Sequence, residues 1–488
     1  MHVPRLIVAA LTLVGLLLSG GAASSAGSAR GGLEFVPLIA VAPDDPKPSQ
    51  SDSSACTTPD PVITYQLYHC YTPSDILSAY DVQRLHDAGI TGKGQTIVIV
   101  DSYGSPTAQA DLDKFSDTFG LPKKTVKIIY PTGTPTYNNS VNGSPPGWAF
   151  ETSLDLQWAH AIAPDADLVL IAANPAETEG VQGFPSMFIG EQYAISHYPG
   201  SVISQSFAVT EQSFHSAADE QVARFDQIYQ QAKAANITVI GSSGDSGTAN
   251  GDKQGRLYPY PTVNWPSSDP LVTSAGGTWL QYHWKWNPTI TADQFYSCLN
   301  TSPASTCVGE YLNYSDDAGQ TEAVWKEDWL PAATGGGSSI LFDRPGFQDG
   351  VSSAVGAKRG TPDLSWNAAV DGGVLVYTSF GGARVGWHLV GGTSAAAPQL
   401  AGLVALANQV RAANGYGPVG YLNPRLYSLS SSDFNDVVPQ TFGVETLKSN
   451  AEYGTNIPGM DTKPGWDLTT GFGSPKAYNF VMDLANSP

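Results

Sequence analysis

Gly391-Gly392-Thr393-Ser394-Ala395-Ala396-Ala397-Pro398 sets one serine among small residues, and Gln399-Leu400-Ala401-Gly402-Leu403-Val404-Ala405-Leu406 continues the stretch as an apolar helix. The pattern places Ser394 at the opening of a buried helix. Unpaired N–H groups and the positive end of the helix dipole gather there and steady a negative charge. The glycines ahead of it let another chain come close. A serine nucleophile needs that neighbourhood. An N-capping serine on a small-residue packing helix fits it equally well. The segment alone leaves both readings open.

Outward from this helix the chain alternates. Short β-branched runs recur at 96–100, 167–172, 201–207, 238–242, 271–275 and 374–378, and helices are expected over 149–162, 217–235 and 394–413. This alternation predicts an α/β fold with a mainly parallel central sheet and helices on both faces. Sites in such sheets gather at the ends of strands. Polar or glycine-rich turns follow several of them: Asp101-Ser102-Tyr103-Gly104, Ser206-Phe207-Ala208 and Ser242-Ser243-Gly244-Asp245-Ser246-Gly247. The Gly335-Gly336-Gly337-Ser338-Ser339 stretch reads as a mobile surface loop.

The 488 residues suffice for one large domain or a few average ones. Only 14% of them are charged, and Gly, Ser, Thr and Pro are plentiful, a loop-rich composition rather than a disordered one. A net charge of −20 and a pI near 4.6 disfavour nucleic acid and anionic membranes as partners. They suit a protein that stays soluble outside the cell, and solubility alone accounts for them more readily than work in acid does. Met1–Arg5 is basic, Leu6–Leu18 is apolar but short for a membrane span, and Ser24-Ser25-Ala26 offers a cleavage site. Residues 1–26 therefore read as a signal peptide, and the protein as secreted. A leader follows over 27–70, and a globular domain over 71–488. The four cysteines form two sequence-local pairs, Cys56 with Cys70 and Cys298 with Cys307; two other connectivities remain open.

A serine hydroxyl needs a base, usually histidine. None of the eight, His2, His69, His86, His160, His197, His215, His283 and His388, has the glycine-flanked setting of a catalytic one. Carboxylates offer another solution. In Gly147-Trp148-Ala149-Phe150-Glu151-Thr152-Ser153-Leu154-Asp155, the two acids are four apart, on one face of a helix. The bland account is acids favoured near a helix N-terminus by the dipole. The mostly apolar surroundings favour a second account. Two buried carboxyls side by side share a proton, because both cannot ionise cheaply.

In this order the segments resemble the sedolisin family of serine-carboxyl peptidases. The Glu/Asp helix, the Ser242–Gly247 segment and the Gly391–Pro398 segment all match. So do Phe434-Asn435-Asp436-Val437 and Pro464-Gly465-Trp466-Asp467, which are similar to the family's calcium strings. Trp265-Pro266-Ser267-Ser268 and Arg359-Gly360-Thr361-Pro362-Asp363 agree as well, and the likeness runs from about Tyr71 to the C-terminus. It implies a subtilisin-like fold with a C-terminal calcium-binding loop. It implies Ser394 as nucleophile, Glu151 as general base, Asp155 as its orienting partner and Asp245 as a protonated donor to the oxyanion. It also implies one structural Ca²⁺, held by the side chains of Asp436 and Asp467 and the carbonyls of Val437, Lys463 and Gly465. Lys463 takes a place often held by glycine, and the 438–462 loop is longer than expected.

The expected activity is hydrolysis of protein or peptide substrates by a secreted monomer. Endopeptidase action is favoured. Removal of tripeptides is a rival, and so is a non-catalytic binding protein on the same scaffold. Imidazole is charged in acid and cannot act as a base there, whereas a glutamate still accepts protons, so activity is expected well below pH 7. Asp101 reads either as a partner of the acid pair or as a turn former. The backbone of Ser204–Phe207 is expected to hold substrate as an added strand. The family's long folded propeptide has no counterpart in the short leader.

Overall fold

β-Branched runs build the centre of the molecule. The computed structural model describes residues 70–137, 144–174, 184–252, 255–282, 320–327, 330–380, 385–442 and 445–487, with short strand segments at 36–37, 40–41, 58–59, 67–68, 284–286 and 312–314. Strands β1 (Thr96–Ser102), β2 (Val126–Ile129), β3 (Asp167–Ala173), β4 (Val202–Gln205), β5 (Thr238–Ser242), β6 (Thr273–Gln281), β7 (Thr321–Val324) and β8 (Leu364–Asn367) form one sheet. The order is β7-β6-β5-β4-β1-β3-β2, and β8 also pairs with β6. Every pair is parallel except β6 with β7.

The two-residue period of a strand sorts the side chains to two faces. Ile97 and Ile99 of β1 join a core with α2 (Ser144–Ile162) and α5 (Thr393–Ala413). Val98 and Val100 face the other way, into a core with α3 (Phe184–His197) and α4 (Glu220–Ala234). Helices α1 (Ala108–Phe119) and α6 (Ala477–Asn486) complete the first layer. Both faces of the sheet are covered, as a parallel sheet requires.

Helix α2 is buried on all sides from Trp148 to Ile162, so its sequence shows no amphipathic stripe. It packs on α5 where Gly402 has no side chain. A Cβ there would lie 2.7 Å from both Cβ and Cγ2 of Ile162. The absent side chain sets how closely the two helices approach.

The expected α/β class and the helices at 149–162, 217–235 and 394–413 match what is observed to within a few residues. Three differences stand out. The run at 201–207 is two strands: β4 stops at Gln205, and Phe207–Thr210 leaves the central sheet to pair with Asn264–Trp265. Helices α1, α3 and α6 were not expected. Gly335–Ser339 is not a surface loop. Residues 335–337 are buried, and a Cβ on Gly335 would lie 2.2 Å from Ser243 O. The glycines are there for close approach, not for mobility. Cys70 is buried and disulfide-bonded, while Cys56, Cys298 and Cys307 lie outside the described residues, as does the signal segment 1–26. No described helix is long and apolar enough to cross a membrane.

Gly402→Val is expected to overpack the α2–α5 contact and to cost about 1–3 kcal/mol. Gly417→Ala, with no atom within 4 Å of the added Cβ, should stay within about 0.5 kcal/mol of wild type. Thermal melts of the two variants check this, and a Gly402→Val protein that melts with wild type would refute the tight contact.

Candidate active site

The turn before α5 is shaped by glycine. Gly392 sits at φ 109°, which side chains rarely adopt, and swings the chain from strand Gly386–Gly391 into the helix. Thr393 and Ser394 therefore occupy the first turn, both fully buried. Of the N–H groups in that turn, Thr393 N donates to Asp245 Oδ1 and Ala395 N to Gly392 O.

Helix α2 brings Glu151 and Asp155 to the same place, one turn apart and both fully buried. Asp155 Oδ1 accepts from Ser206 Oγ at 3.0 Å. Asp101, near the end of β1, is buried as well, and its Oδ2 accepts from Thr152 Oγ1 at 2.9 Å. It is part of a buried acid cluster and not a turn former. The topology explains the meeting. β1 and β4 are neighbours whose onward connections leave in opposite directions along the sheet, which is where α/β crevices open.

Asp245 follows β5 through Ser243 and Gly244. Gly244 sits at φ 115°, and a Cβ there would collide with the Asn264 amide at 2.1 Å. The tight turn aims Asp245 at the start of α5. Its Oδ1 accepts from both Thr393 N and Thr393 Oγ1 at 2.8 Å, and Gly244 N donates to Thr393 Oγ1 at 3.0 Å. Asp245 Oδ2 is buried with no partner.

No base neutralises these acids. Burial, then the Asp101 charge, push Glu151 well above the usual carboxylate range. The hydroxyls of Ser394 and Ser206 pull the other way, although neither completes a full hydrogen bond to it. Asp155 is raised by burial, Asp101 and Glu151. Burial alone lifts Asp101 and Asp245 to about 7 each, against their own hydrogen bonds. Carboxyls packed this closely cannot all ionise, so the cluster holds protons well above pH 4. A protonated Asp245 carries its hydrogen on Oδ2, because Oδ1 already accepts two bonds. That leaves one O–H donor beside Ser394.

Among the described residues no imidazole bonds to Ser394 Oγ. His160 Nε2 bonds to Pro122 O, His86 Nε2 to Ile162 O, and His388 lies edge-on to the Phe150 ring. The expected calcium residues do come together. Gly465 N donates to Asp436 Oδ2 and Lys463 N to Asp467 Oδ2, both at 2.8 Å. Thr469 N and Thr470 N fill Asp467 Oδ1. Carboxylate and carbonyl oxygens are the donor types calcium takes. No described group of three or more His, Cys, Asp or Glu side chains is gathered closely enough for a metal, so a cage would depend on backbone oxygens.

Two features were beyond sequence reasoning. Thr393, Thr152 and Ser206 act as hydrogen-bond partners of the acids, and a single sequence holds no sign of it. The leader is not simply loose either. Val36–Pro37 pairs antiparallel with Phe207–Ala208, and Ala40–Val41 with Val390–Gly391, the strand that runs into Ser394.

No protein-family profile matches the chain. Kumamolisin of Bacillus sp. (strain MN-32) is 29% identical over 423 residues, covering 86% of this chain and 64% of that protein. Tripeptidyl-peptidase 1 of Homo sapiens is 28% identical over 352 residues, 69% of this chain and 52% of the relative. The chain thus spans about half to two thirds of the length of these relatives. Among solved structures, Pseudomonas sedolisin (serine-carboxyl proteinase) complexed with two molecules of pseudo-iodotyrostatin has a TM-score of 0.63 at 25% identity. That match covers 86% of this chain and 98% of the other.

The raised acids fix how stability depends on pH. Asp101, Asp245 and Asp269 stand at about 7 and Glu191 at about 8, all through burial, against roughly 4 in an unfolded chain. Between those values the folded state binds more protons than the unfolded one, so stability falls as pH rises. Their contribution is complete below about pH 4 and is lost through pH 7 to 8. Melting temperature is therefore expected to be higher at pH 4.5 than at pH 8, and the opposite order in a buffer series would contradict the neutral-acid cluster.

Proposed function

We propose that this chain, similar to kumamolisin and to Pseudomonas sedolisin, is a serine-carboxyl peptidase: a secreted endopeptidase that hydrolyses protein and peptide substrates in acid. The reading rests above all on Ser394 lying buried among four carboxyls, with no imidazole bonded to its hydroxyl among the described residues. Residues 71–488 would be the peptidase domain, behind a signal peptide at 1–26 and a leader at 27–70.

Ser394 Oγ attacks the scissile carbonyl carbon while its proton passes to Glu151, in the form of the acid cluster that has lost one proton and carries the charge on Glu151. Negative charge moves to the carbonyl oxygen, which receives the O–H of protonated Asp245 and the N–H of Ser394. A carboxylate there would repel the oxyanion; the neutral acid donates to it. The C–N bond then breaks, and Glu151 returns the proton to the leaving amine. Water repeats the sequence on the acyl ester and frees Ser394. Asp155, fixed by Ser206, holds Glu151 and shares its proton, and Asp101 keeps that shared proton in place.

The pH dependence follows from Asp245. It must be protonated to donate, and its carboxyl stands at about 7, so activity should decline as pH rises through that value. Casein digestion at about pH 4 by wild type, with at least a thousandfold loss in Ser394→Ala, is the expected result. Full activity at pH 8 with loss at pH 4 would overturn the carboxyl mechanism. If neither protein cuts, the binding-protein reading stands instead. The product lengths decide the second reading, suggested by relatives named tripeptidyl-peptidase. Internal fragments from an N-terminally blocked substrate mean an endopeptidase, and tripeptides from free N-termini alone mean the exopeptidase.

Calcium belongs to the same reading. Asp436 and Asp467 would hold one ion, with the carbonyls of Val437, Lys463 and Gly465. When bound it would supply positive charge that fastens the C-terminal loop. A chelator should then lower the melting temperature, and excess calcium should restore it. A melting curve indifferent to both would remove the ion.

A further inference from the structure

The chain that carries Asp245 is held from behind. Ala333 N donates to Asp245 O at 2.8 Å, Gly335 N to Gly244 O at 2.7 Å and Gly247 N to Ala333 O at 2.9 Å, while Ser243 Oγ donates to Gly335 O at 2.8 Å. Residues 333–335 thus form a strap along Ser243–Gly247. Two carbonyls of the strap region, Thr334 O and Gly336 O, are taken by one side chain. Asn450 Nδ2 donates to them at 3.0 and 3.3 Å.

Asn450 is fully buried. Its Oδ1 accepts from Met460 N at 2.7 Å, and its own N–H donates to Met460 O at 3.2 Å. A Cβ on Gly247 would lie 2.1 Å from Asn450 O, so Asn450 rests directly on the chain two residues beyond Asp245. Thr248 Oγ1 adds a bond to Pro458 O at 2.9 Å, and Ser449 pairs with Asp461 to close the loop. A buried amide with donors and acceptor all engaged locates its neighbours closely.

We propose that Asn450 is a positioning residue for peptide hydrolysis: it clamps the strap onto Ser243–Gly247 and so fixes where the Asp245 carboxyl stands beside Ser394. The inference rests on the peptidase reading above. Its physical basis is distance. An oxyanion donor acts within about 3 Å, and a displacement of about 1 Å costs on the order of a hundredfold in rate. Removing the Asn450 amide leaves two buried carbonyls unpaired and frees the strap to shift. The effect should reach kcat through Asp245 and leave substrate binding alone.

A double-mutant cycle tests it on the full chain, with a fluorogenic peptide that the wild type cleaves at about pH 4. Asn450→Ala is expected to lower kcat about ten- to a hundredfold with KM within about twofold. In an Asp245→Ala background the same change should alter kcat by less than about twofold, because the group it positions is gone. Equal losses in both backgrounds, or none in either, overturn the proposal. If Asn450→Ala does not fold, Asn450→Asp carries the cycle, since it keeps the volume and the Met460 bond but, protonated when buried, can make at most one of the two donations. If neither variant folds, Asn450 serves the fold alone, and the proposal falls. Wild type that cuts nothing removes the peptidase reading together with this inference. Wild type that cuts, with additive losses, removes only the inference.

Discussion

The contact of α5 with α2 is the constraint from which the rest follows. One helix begins with Ser394, and the other carries Glu151 and Asp155. Their approach is set by a glycine against Ile162. Hydrogen bonds pin each helix further. Trp366 Nε1 donates to Gln399 Oε1, and Gln399 Nε2 to Ala395 O, which ties the first turn of α5 to β8. Gln157 exchanges two bonds with the backbone of Tyr377, which ties α2 to strand Gly373–Thr378. Close-packed interiors deform little, so hydroxyl and acids keep their relation without flexible parts.

What the site lacks matters as much as what it contains. Elsewhere the chain buries an acid in its usual charged manner: Arg359 forks onto Asp363 at 2.6 and 2.8 Å, both fully buried. A guanidinium there compensates the carboxylate. Around Glu151, Asp155, Asp101 and Asp245 the only described partners are hydroxyls and an N–H group. Those bonds are too weak to offset desolvation, so these acids retain protons. The burial that raises the pKa of Asp245 would also make it a hydrogen-bond donor, so stability and the proposed chemistry in acid would share a single cause.

Much of this was legible. That Ser394 opens a buried helix, and that Glu151 and Asp155 share one helix face, could be read from glycine before an apolar run and from helix periodicity, whereas their roles were implied only by the family resemblance. The sheet could be placed because β-branched runs alternate with helical ones. Other features depend on tertiary contact and left no local trace. The glycines at 335–337 have the composition of a mobile loop, yet they press against Ser243 and Leu468. Helix α3 buries Met187, Ala194 and Ile195 but also exposes apolar Ile189, so its hydrophobic pattern does not single out one face. Asn450 sits in a segment of ordinary turn residues, and the strap carbonyls it bonds are more than a hundred residues away.

The strand Phe207–Thr210 carries a further constraint. Asn264–Trp265 occupies one of its edges and Val36–Pro37 the other, both antiparallel. A strand has only two hydrogen-bonding edges. A substrate that adds itself as a strand beside Phe207 therefore needs the donors and acceptors that the leader now uses. Ala40–Val41 of the leader also pairs with Val390–Gly391, three residues short of Ser394. A peptide that pairs with Phe207–Ala208 on that edge takes the place of Val36–Pro37. The backbone bonds released there are the same kind that substrate would restore, so the exchange has little net cost in hydrogen bonding.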